Sequence, residues 1–299
     1  MSNLSVARLV LGLRSTAQSL GIIGRDTGIF AHHGIALQII REETAGPAGA
    51  RYLISGESDL GEFGAVPVIQ AVLEGADPVI VFAAEQVSAL YVFGTRDTLT
   101  PALLAGQDIG VLSAMGQTGF SVKQLLEQWG LQDQVRLVEL GTYPKIYAEL
   151  QAGRIAAGIL TADYGIAGTA THGFTMLADV GTALQFQGPV VATTRRLIDK
   201  KPEVVQRIVD AYVETIRTFK QAPDIVVPIL QHHLGFVDEK QARAIQAFYS
   251  QRFQDVPHAS PTGLARILAS MPNVPAGVDL SGVIDHRFVD HALSLPHAG

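Results

Sequence analysis

The first half of the chain carries one arrangement of apolar runs and glycines twice. In the first copy, helical stretches end at Gly34 and Gly56. In the second they end at Gly130 and Gly153, a spacing that differs by one residue. Glycine ends helices readily because it adopts the left-handed backbone conformation without a Cβ penalty. Matching helix ends at matching intervals predict a duplicated unit of strands and helices.

Apolar runs typical of strands alternate with these helices. The runs are residues 9–13, 35–40 and 59–64 in the first copy and 109–112, 135–140 and 155–160 in the second. Strands that alternate with helices predict βαβ units and a parallel sheet, so two units predict two α/β lobes. Ligands bind outside the carboxyl ends of parallel strands, near helix N-termini. Two facing lobes would therefore share one cleft lined by their strand-end loops.

Length and charge agree with this reading and exclude other classes. A chain of 299 residues exceeds the size at which single cores usually stop growing. The net charge of −6 argues against a nucleic-acid partner. There is no cysteine, so disulfides, thiol nucleophiles and thiolate-bound metals are excluded. No apolar run reaches the length of about 18 residues that a membrane span needs.

The N-terminus does not read as a secretory signal, because no basic segment is followed by an apolar stretch and a small-residue cleavage site. Two locations stay open. A cytoplasmic location is expected if the sequence is complete as written. A periplasmic or extracytoplasmic location is expected if a leader was removed.

Several segments and their order along the chain resemble the substrate-binding proteins of ABC importers for sulfonates, nitrate and thiamine precursors. These binding proteins share their fold with proteins of the NMT1/THI5 type. The segments include LVLGLRSTAQ, GIFAHHGIALQII, QDIGVLSAMGQTGFSVKQLLEQWGL and YAELQAGRIAAGILTADYG. The resemblance covers roughly residues 8–235, and VIDHRFVDHALS is similar to the family's last helix. It implies an α/β type II periplasmic-binding-protein fold with a ligand cleft between two lobes and C-terminal helices.

Two chain crossings are expected between the lobes, near residues 91–96 and 182–188. The first lobe is then predicted to hold residues 1–93 and 186–299, and the second lobe residues 94–185. The C-terminal helices should pack on the first lobe, where apolar positions such as Val205, Ile208 and Tyr212 recur at helical spacing.

Candidate ligand-binding residues stand at the predicted strand ends. In the first lobe they are Arg14, Ser15, Thr16, Gln18, Thr44, Glu62, Phe63, Gly64 and Glu85. In the second lobe they are Ser113, Met115, Gly116, Gln117, Thr118, Tyr143, Lys145, Asp163 and Tyr164. The small and hydroxyl residues from Ser113 onward suit an anion or a carbonyl oxygen at a helix N-terminus, although simple N-capping also explains them.

The charges of these candidates favour different ligands. Arg14 and Lys145 favour a carboxylate or a sulfonate. Glu62, Glu85 and Asp163 instead favour an amine, an amidine or a hydroxyl-rich ligand. An ion-pair or backbone partner is the alternative role for Glu62, and a solvated helix start is the alternative for Lys145.

The histidines show no metal-binding spacing, and we expect neither a metal nor a cofactor. The predicted function is to bind a small anionic or zwitterionic organic solute for ABC-type import, with a permease as partner. The alternative is an enzyme on the same fold that acts on a small organic acid or a pyrimidine-like substrate. Related enzymes on this fold use cysteine, which this chain lacks, so their chemistry is not expected here. The sequence also shows no nucleophile with its base. We therefore favour binding over catalysis.

Overall fold

The structure is a computed structural model that describes residues 4–12, 14–42, 46–235 and 238–294. Its strands, in chain order, are β1 (Ser5–Leu11), β2 (Ile35–Glu42), β3 (Leu60–Gly64), β4 (Pro78–Phe82), β5 (Leu90–Gly94), β6 (Asp108–Val111), β7 (Arg136–Glu139), β8 (Ala157–Thr161), β9 (Thr175–Asp179) and β10 (Pro189–Thr194). They form two separate five-stranded sheets, with the orders β2-β1-β3-β10-β4 and β7-β6-β8-β5-β9.

The helices surround these sheets. They are α1 (Leu20–Asp26), α2 (Ile29–His32), α3 (Gly46–Ser55), α4 (Ala65–Leu73), α5 (Gln117–Gln128), α6 (Tyr143–Gln151), α7 (Ala162–His172), α8 (Val180–Leu184), α9 (Arg195–Lys200), α10 (Pro202–Gln221), α11 (Pro223–Leu234), α12 (Glu239–Arg252), α13 (Pro261–Ala269) and α14 (Arg287–Ser294). Short 3-10 helices span Thr16–Gln18 and Pro101–Leu104. Within the described ranges, no helix is long and apolar enough to cross a membrane.

The two sheets have the same internal order, which confirms the α/β fold class and the duplication. In each sheet, the three strands of the repeat are parallel neighbours: β2, β1 and β3 in one, and β7, β6 and β8 in the other. Each sheet is completed by an antiparallel strand, β10 beside β3 and β5 beside β8. Gly34, Gly56, Gly130 and Gly153 follow helix ends with φ values of 74°, 80°, 68° and 66°, as predicted.

We call the first sheet with α1–α4 and α9–α14 the first lobe, and the second sheet with α5–α8 the second lobe. The chain passes between the sheets at residues 83–89 and 185–188. The predicted crossing at residues 91–96 is wrong, because Leu90–Gly94 is β5, which is hydrogen-bonded to β8 and β9. The lobe boundaries predicted from the sequence, 1–93 with 186–299 and 94–185, stay a proposal. The strand pairing favours a first boundary within residues 83–89.

Helix α10 anchors the core of the first lobe beside the cleft. Its predicted apolar positions Val205, Ile208 and Tyr212 are all fully buried. The Tyr212 ring packs on Phe30 at 5.2 Å and on Phe82 at 5.0 Å between ring centroids. This packing fixes the Tyr212 hydroxyl beside β3, one of the strands that end at the cleft.

Candidate functional site

A cavity lies between the lobes, where the carboxyl ends of the parallel strands of both sheets meet. Its space amounts to about 600 Å³, including the part open to solvent. The wall contains Gly12, Ser15, Ala17, Gln18, Gly46, Phe63, Gly64 and Pro67 from the first lobe, Ser88, Ala89, Leu90 and Pro189 in or directly after the crossings, and Leu112, Ser113, Gly116, Gln117, Thr118, Tyr143 and Thr161 from the second lobe. Loops at corresponding places of the two repeats thus face each other.

The second lobe presents the first turn of α5 to this cavity. The N–H groups of a first helical turn have no intrahelical acceptor, so they can bind an anion or a carbonyl oxygen. The Ser113 hydroxyl accepts the Met115 N–H at 3.3 Å. The Thr118 hydroxyl accepts the Leu112 N–H at 3.1 Å. Since each hydroxyl oxygen is used as an acceptor, its hydrogen is available to donate.

Two fully buried side-chain polar atoms of the wall have no hydrogen-bond partner among the described residues. The first is the hydroxyl oxygen of Ser15, a residue that is 1% exposed. The second is the Gln117 side-chain nitrogen, whose companion Oε1 accepts the Val66 N–H across the cleft at 3.1 Å. Buried polar groups normally have partners, so both atoms are candidates for ligand contact.

Thr161 presents a hydrogen-bond acceptor on the opposite side of the cavity. Its hydroxyl donates to Asp163 Oδ2 at 2.8 Å. With its hydrogen committed, the Thr161 oxygen can only accept. The wall therefore combines donors near α5 with an acceptor at the end of β8.

No Asp, Glu, Lys or Arg within the described residues lines the cavity. Arg14 is exposed and donates to Glu42 Oε2 at 2.5 Å, away from the wall. Lys145 is exposed in the first turn of α6. The positive potential expected from these two side chains is therefore not at the cavity wall, and neutral groups form its polar part.

Glu62 faces the interior of the first lobe instead of the cavity. It accepts the Tyr212 hydroxyl at 2.9 Å and the Gly21 N–H at 3.1 Å. The approach is close, because a Cβ at Gly21 would lie 2.8 Å from Glu62 Oε2. Burial raises the pKa of Glu62 to about 7, against the lowering effect of these hydrogen bonds. Successive strand residues point to opposite faces, so Phe63 reaches the cavity and Glu62 does not.

Glu85 lies in the first crossing and pairs with a residue that the sequence did not indicate. Arg252 Nε donates to Glu85 Oε1 at 2.9 Å, and Arg252 Nη2 donates to the Val87 carbonyl at 3.2 Å. Burial raises the pKa of Glu85 to about 7, although Arg252 acts to lower it. Glu85 therefore connects the first crossing to α12 and does not line the cavity.

Asp163 lies behind the wall and is fully buried. It accepts the Thr16 hydroxyl at 2.5 Å, the Thr161 hydroxyl at 2.8 Å and the Tyr249 hydroxyl at 3.5 Å. Burial raises its pKa, and the hydroxyl hydrogen bonds lower it. Neither Thr16 nor Asp163 lines the cavity.

The remaining predicted residues divide into three groups. Those in the wall are Ser15, Gln18, Phe63, Gly64, Ser113, Gly116, Gln117, Thr118 and Tyr143. Met115 is exposed, and Tyr164 packs beside Tyr143 at 5.8 Å between ring centroids without lining the cavity. Thr44 lies outside the described residues.

Several wall residues were not predicted from the sequence. Gly12 and Leu112 follow β1 and β6 directly, so strand-end position could have identified them. Ser88, Ala89 and Leu90 were missed because the first crossing was expected further along the chain. Thr161, the last residue of β8, also lines the cavity, as the strand-end rule predicts.

The two α/β lobes and the cleft between them correspond to the periplasmic-binding-protein fold. Residues 18–225 match the NMT1/THI5 like family, which covers more than half of the chain. The chain therefore belongs to this family. No curated protein sequence matches it.

Solved structures show the same fold at low sequence identity. A protein from Bordetella bronchiseptica RB50 has a TM-score of 0.84 and 17% identity, covering 96% of each chain. The alkanesulfonate-binding protein SsuA from Xanthomonas axonopodis pv. citri, bound to MOPS, has a TM-score of 0.75 and 17% identity, covering 96% of this chain and 100% of that one. The periplasmic aliphatic sulphonate binding protein SsuA from Escherichia coli has a TM-score of 0.71 and 20% identity, covering 89% and 85%.

Proposed function

We propose that this protein binds a small organic solute in the cleft between its lobes and delivers it to an ABC-type importer. Family membership and the two-lobed fold support this role. The observation that carries the proposal is the pair of unpartnered polar atoms in the wall, the Ser15 hydroxyl oxygen and the Gln117 side-chain nitrogen. A ligand that bonds to both would satisfy groups that otherwise stay buried without partners.

The wall favours an organic acid with an apolar body. Gln117 and Thr118 offer donors in the first turn of α5, and Ser113 offers one in the loop before it, which suits a carboxylate or a sulfonate. Phe63, Leu90, Tyr143 and neighbouring apolar residues surround the rest of the space. The acceptor at Thr161 suits a ligand N–H or O–H on the far side. The sulfonate-binding relatives agree with this class.

The partner and the location follow from the same role. A permease of an ABC importer receives the solute, and the protein works on the outer side of the membrane. The periplasmic relative from Escherichia coli supports this location.

A binding screen with matched variants tests the proposal. Calorimetry and thermal shift are measured with MOPS, propanesulfonate, benzoate and a pyrimidine, because selective binding to the folded state raises the melting temperature. Ser15→Ala removes a hydrogen bond to the ligand, for which we expect Kd to rise about fivefold to tenfold. Gln117→Leu should weaken binding at least as much, because it also removes the acceptor of the Val66 N–H.

Ser58→Ala is the matched control. Ser58 is also buried with an unpartnered hydroxyl, but it does not line the cavity. Its replacement should leave Kd unchanged. An equal loss of affinity in Ser15→Ala and Ser58→Ala would contradict the assigned site, and conversion of a bound compound to product would favour the enzyme instead.

A further inference from the structure

We propose that Asp163 is a positioning residue for ligand binding: it holds the two lobes together behind the cavity without touching the ligand. The inference rests on the proposed function, because it assigns to Asp163 the closing of that same cleft. Asp163 stands in the first turn of α7, in the second lobe. Two of its three hydroxyl donors, Thr16 and Tyr249, belong to the first lobe.

The donors connect Asp163 to both sides of the cavity. Thr16 begins the 3-10 helix whose next residues, Ala17 and Gln18, line the wall. Thr161, the third donor, lines the wall from the second lobe. Separation of the lobes would break the bonds from Thr16 and Tyr249 and leave Thr161 as the one remaining hydroxyl donor among the described residues. The full set of bonds therefore exists only when the cleft is closed.

The hydrogen bonds to Asp163 are important for closure because the side chains that form them are buried. All four side chains are nearly inaccessible, with Thr16, Asp163 and Tyr249 at 0% and Thr161 at 3% exposure. A carboxylate taken out of water needs hydrogen-bond donors to offset the lost hydration. Closing the lobes without the Thr16 hydroxyl would leave Asp163 with a weaker set of donors. Loss of that hydroxyl should therefore favour the open cleft.

Helix α12 links this contact to the first crossing. Tyr249 donates to Asp163, and Arg252, one turn later, donates to Glu85 and to the Val87 carbonyl. The same helix thus binds a carboxylate of the second lobe and the segment that must bend when the lobes move. Asp163 interacts electrostatically with Glu85 and with the tyrosines Tyr143, Tyr164 and Tyr249.

Thr16 allows a matched test because valine and serine separate its shape from its hydroxyl. Thr16→Val keeps the shape and removes the hydroxyl, whereas Thr16→Ser keeps the hydroxyl. The chain has no cysteine, so Gln38→Cys and Gln128→Cys on exposed positions of the two lobes can carry spin labels. The distance between the labels is measured in the free protein and with MOPS, propanesulfonate or benzoate, together with Kd and the melting temperature.

We expect Thr16→Val to reduce the closed fraction and to raise Kd about tenfold, while Thr16→Ser stays within about threefold of the unchanged protein. Asp163→Asn should also raise Kd, and Tyr249→Phe should have a smaller effect because its contact is long. The melting temperature of the free Thr16→Val protein should stay within a few degrees, which separates lobe closure from general destabilisation.

An equal closed fraction in all variants, or a closed state that never forms in the unchanged protein, would overturn the inference. Its failure is distinguishable from that of the proposed function. If no probe binds but closure of the free protein still depends on the Thr16 hydroxyl, the inference stands and the ligand assignment is wrong. If a probe binds equally well to Thr16→Val and to the unchanged protein, the ligand assignment stands and the inference about Asp163 is wrong.

Discussion

Each lobe buries a carboxyl group next to the cavity, but the two lobes satisfy these groups differently. In the first lobe, Glu62 accepts hydrogen bonds from the Tyr212 hydroxyl and from the N–H groups of Gly21 and Leu20, all of the same lobe. In the second lobe, Asp163 depends on donors from the other lobe. Glu62 is therefore part of a folded unit, whereas the environment of Asp163 is complete only when the lobes meet.

The two buried acids show how the two copies of a duplicated unit can have different roles. Loops in corresponding positions of both repeats line one cavity. The first lobe also carries α9–α14, which bury its acidic group from behind through Tyr212 on α10. The second lobe has no such layer of its own over Asp163, and α12 of the first lobe supplies it. Replacing Glu62 should therefore affect the stability of the fold, and replacing Asp163 should affect closure of the lobes.

The largest expected effect is on stability, from Glu62→Ala. The substitution leaves the Tyr212 hydroxyl and the Gly21 N–H buried without their acceptor, at about 1–3 kcal/mol each. We expect the free energy of unfolding to fall by about 3 kcal/mol at pH 5.5, measured by urea denaturation. Asp163→Ala should lower it less, because opening of the cleft lets water reach its donors. A larger loss for Asp163→Ala would contradict the comparison.

Stability should also depend on pH through Glu62. Burial raises its pKa from 4.5 to about 7, so the folded chain binds this proton more tightly than the unfolded chain does. The stabilising contribution is complete below about pH 4.5 and is lost as the pH rises to about 7. It amounts to about 3 kcal/mol for this group, at 1.36 kcal/mol per pKa unit.

Glu62→Gln removes the titrating group and should flatten the dependence of unfolding free energy on pH across this range. Glu85, whose pKa is also raised to about 7, contributes a remaining slope of the same sign. Glu57→Gln is the control, because Glu57 is an exposed acid in the same lobe. An unchanged slope in Glu62→Gln would show that Glu62 titrates alike in the folded and unfolded chains.

The smallest expected effect is on closure, from Gly64→Ala. A Cβ at Gly64 would lie 3.1 Å from Gln117 Oε1 and 3.2 Å from Gln117 Cβ, both in the other lobe. The backbone at Gly64 has φ −61° and ψ 153°, which alanine adopts without strain. We expect the melting temperature of the free protein to stay the same and Kd for MOPS to rise about threefold to tenfold, because the lobes must separate slightly.

Gly116→Ala provides the control for this prediction. A Cβ there meets its nearest atom at 3.7 Å, an ordinary contact. Its replacement should leave Kd for MOPS within about twofold, although Gly116 also lines the cavity. Equal losses in both variants would mean that the lobes do not approach each other at Gly64 when ligand is bound.

The duplicated fold and about half of the candidate site can be predicted from local sequence patterns. Helix-ending glycines such as Gly34 and Gly130 need positive φ whatever their tertiary surroundings, so they mark element ends locally. Strand-end position then led to Ser15 and Gln117, because parallel strands bring their carboxyl ends to one edge of a sheet. These are consequences of backbone geometry, which a local pattern records.

The roles of the charged residues depend instead on how the chain packs. β3 is buried on both faces, so its sequence gives no alternation to show that Glu62 points inward while Phe63 faces the cavity. Arg252 is distant in sequence from Glu85, and Asp163 obtains its donors from the other lobe. The role of a buried charge depends on the groups that replace its water, and chain packing alone brings those groups together.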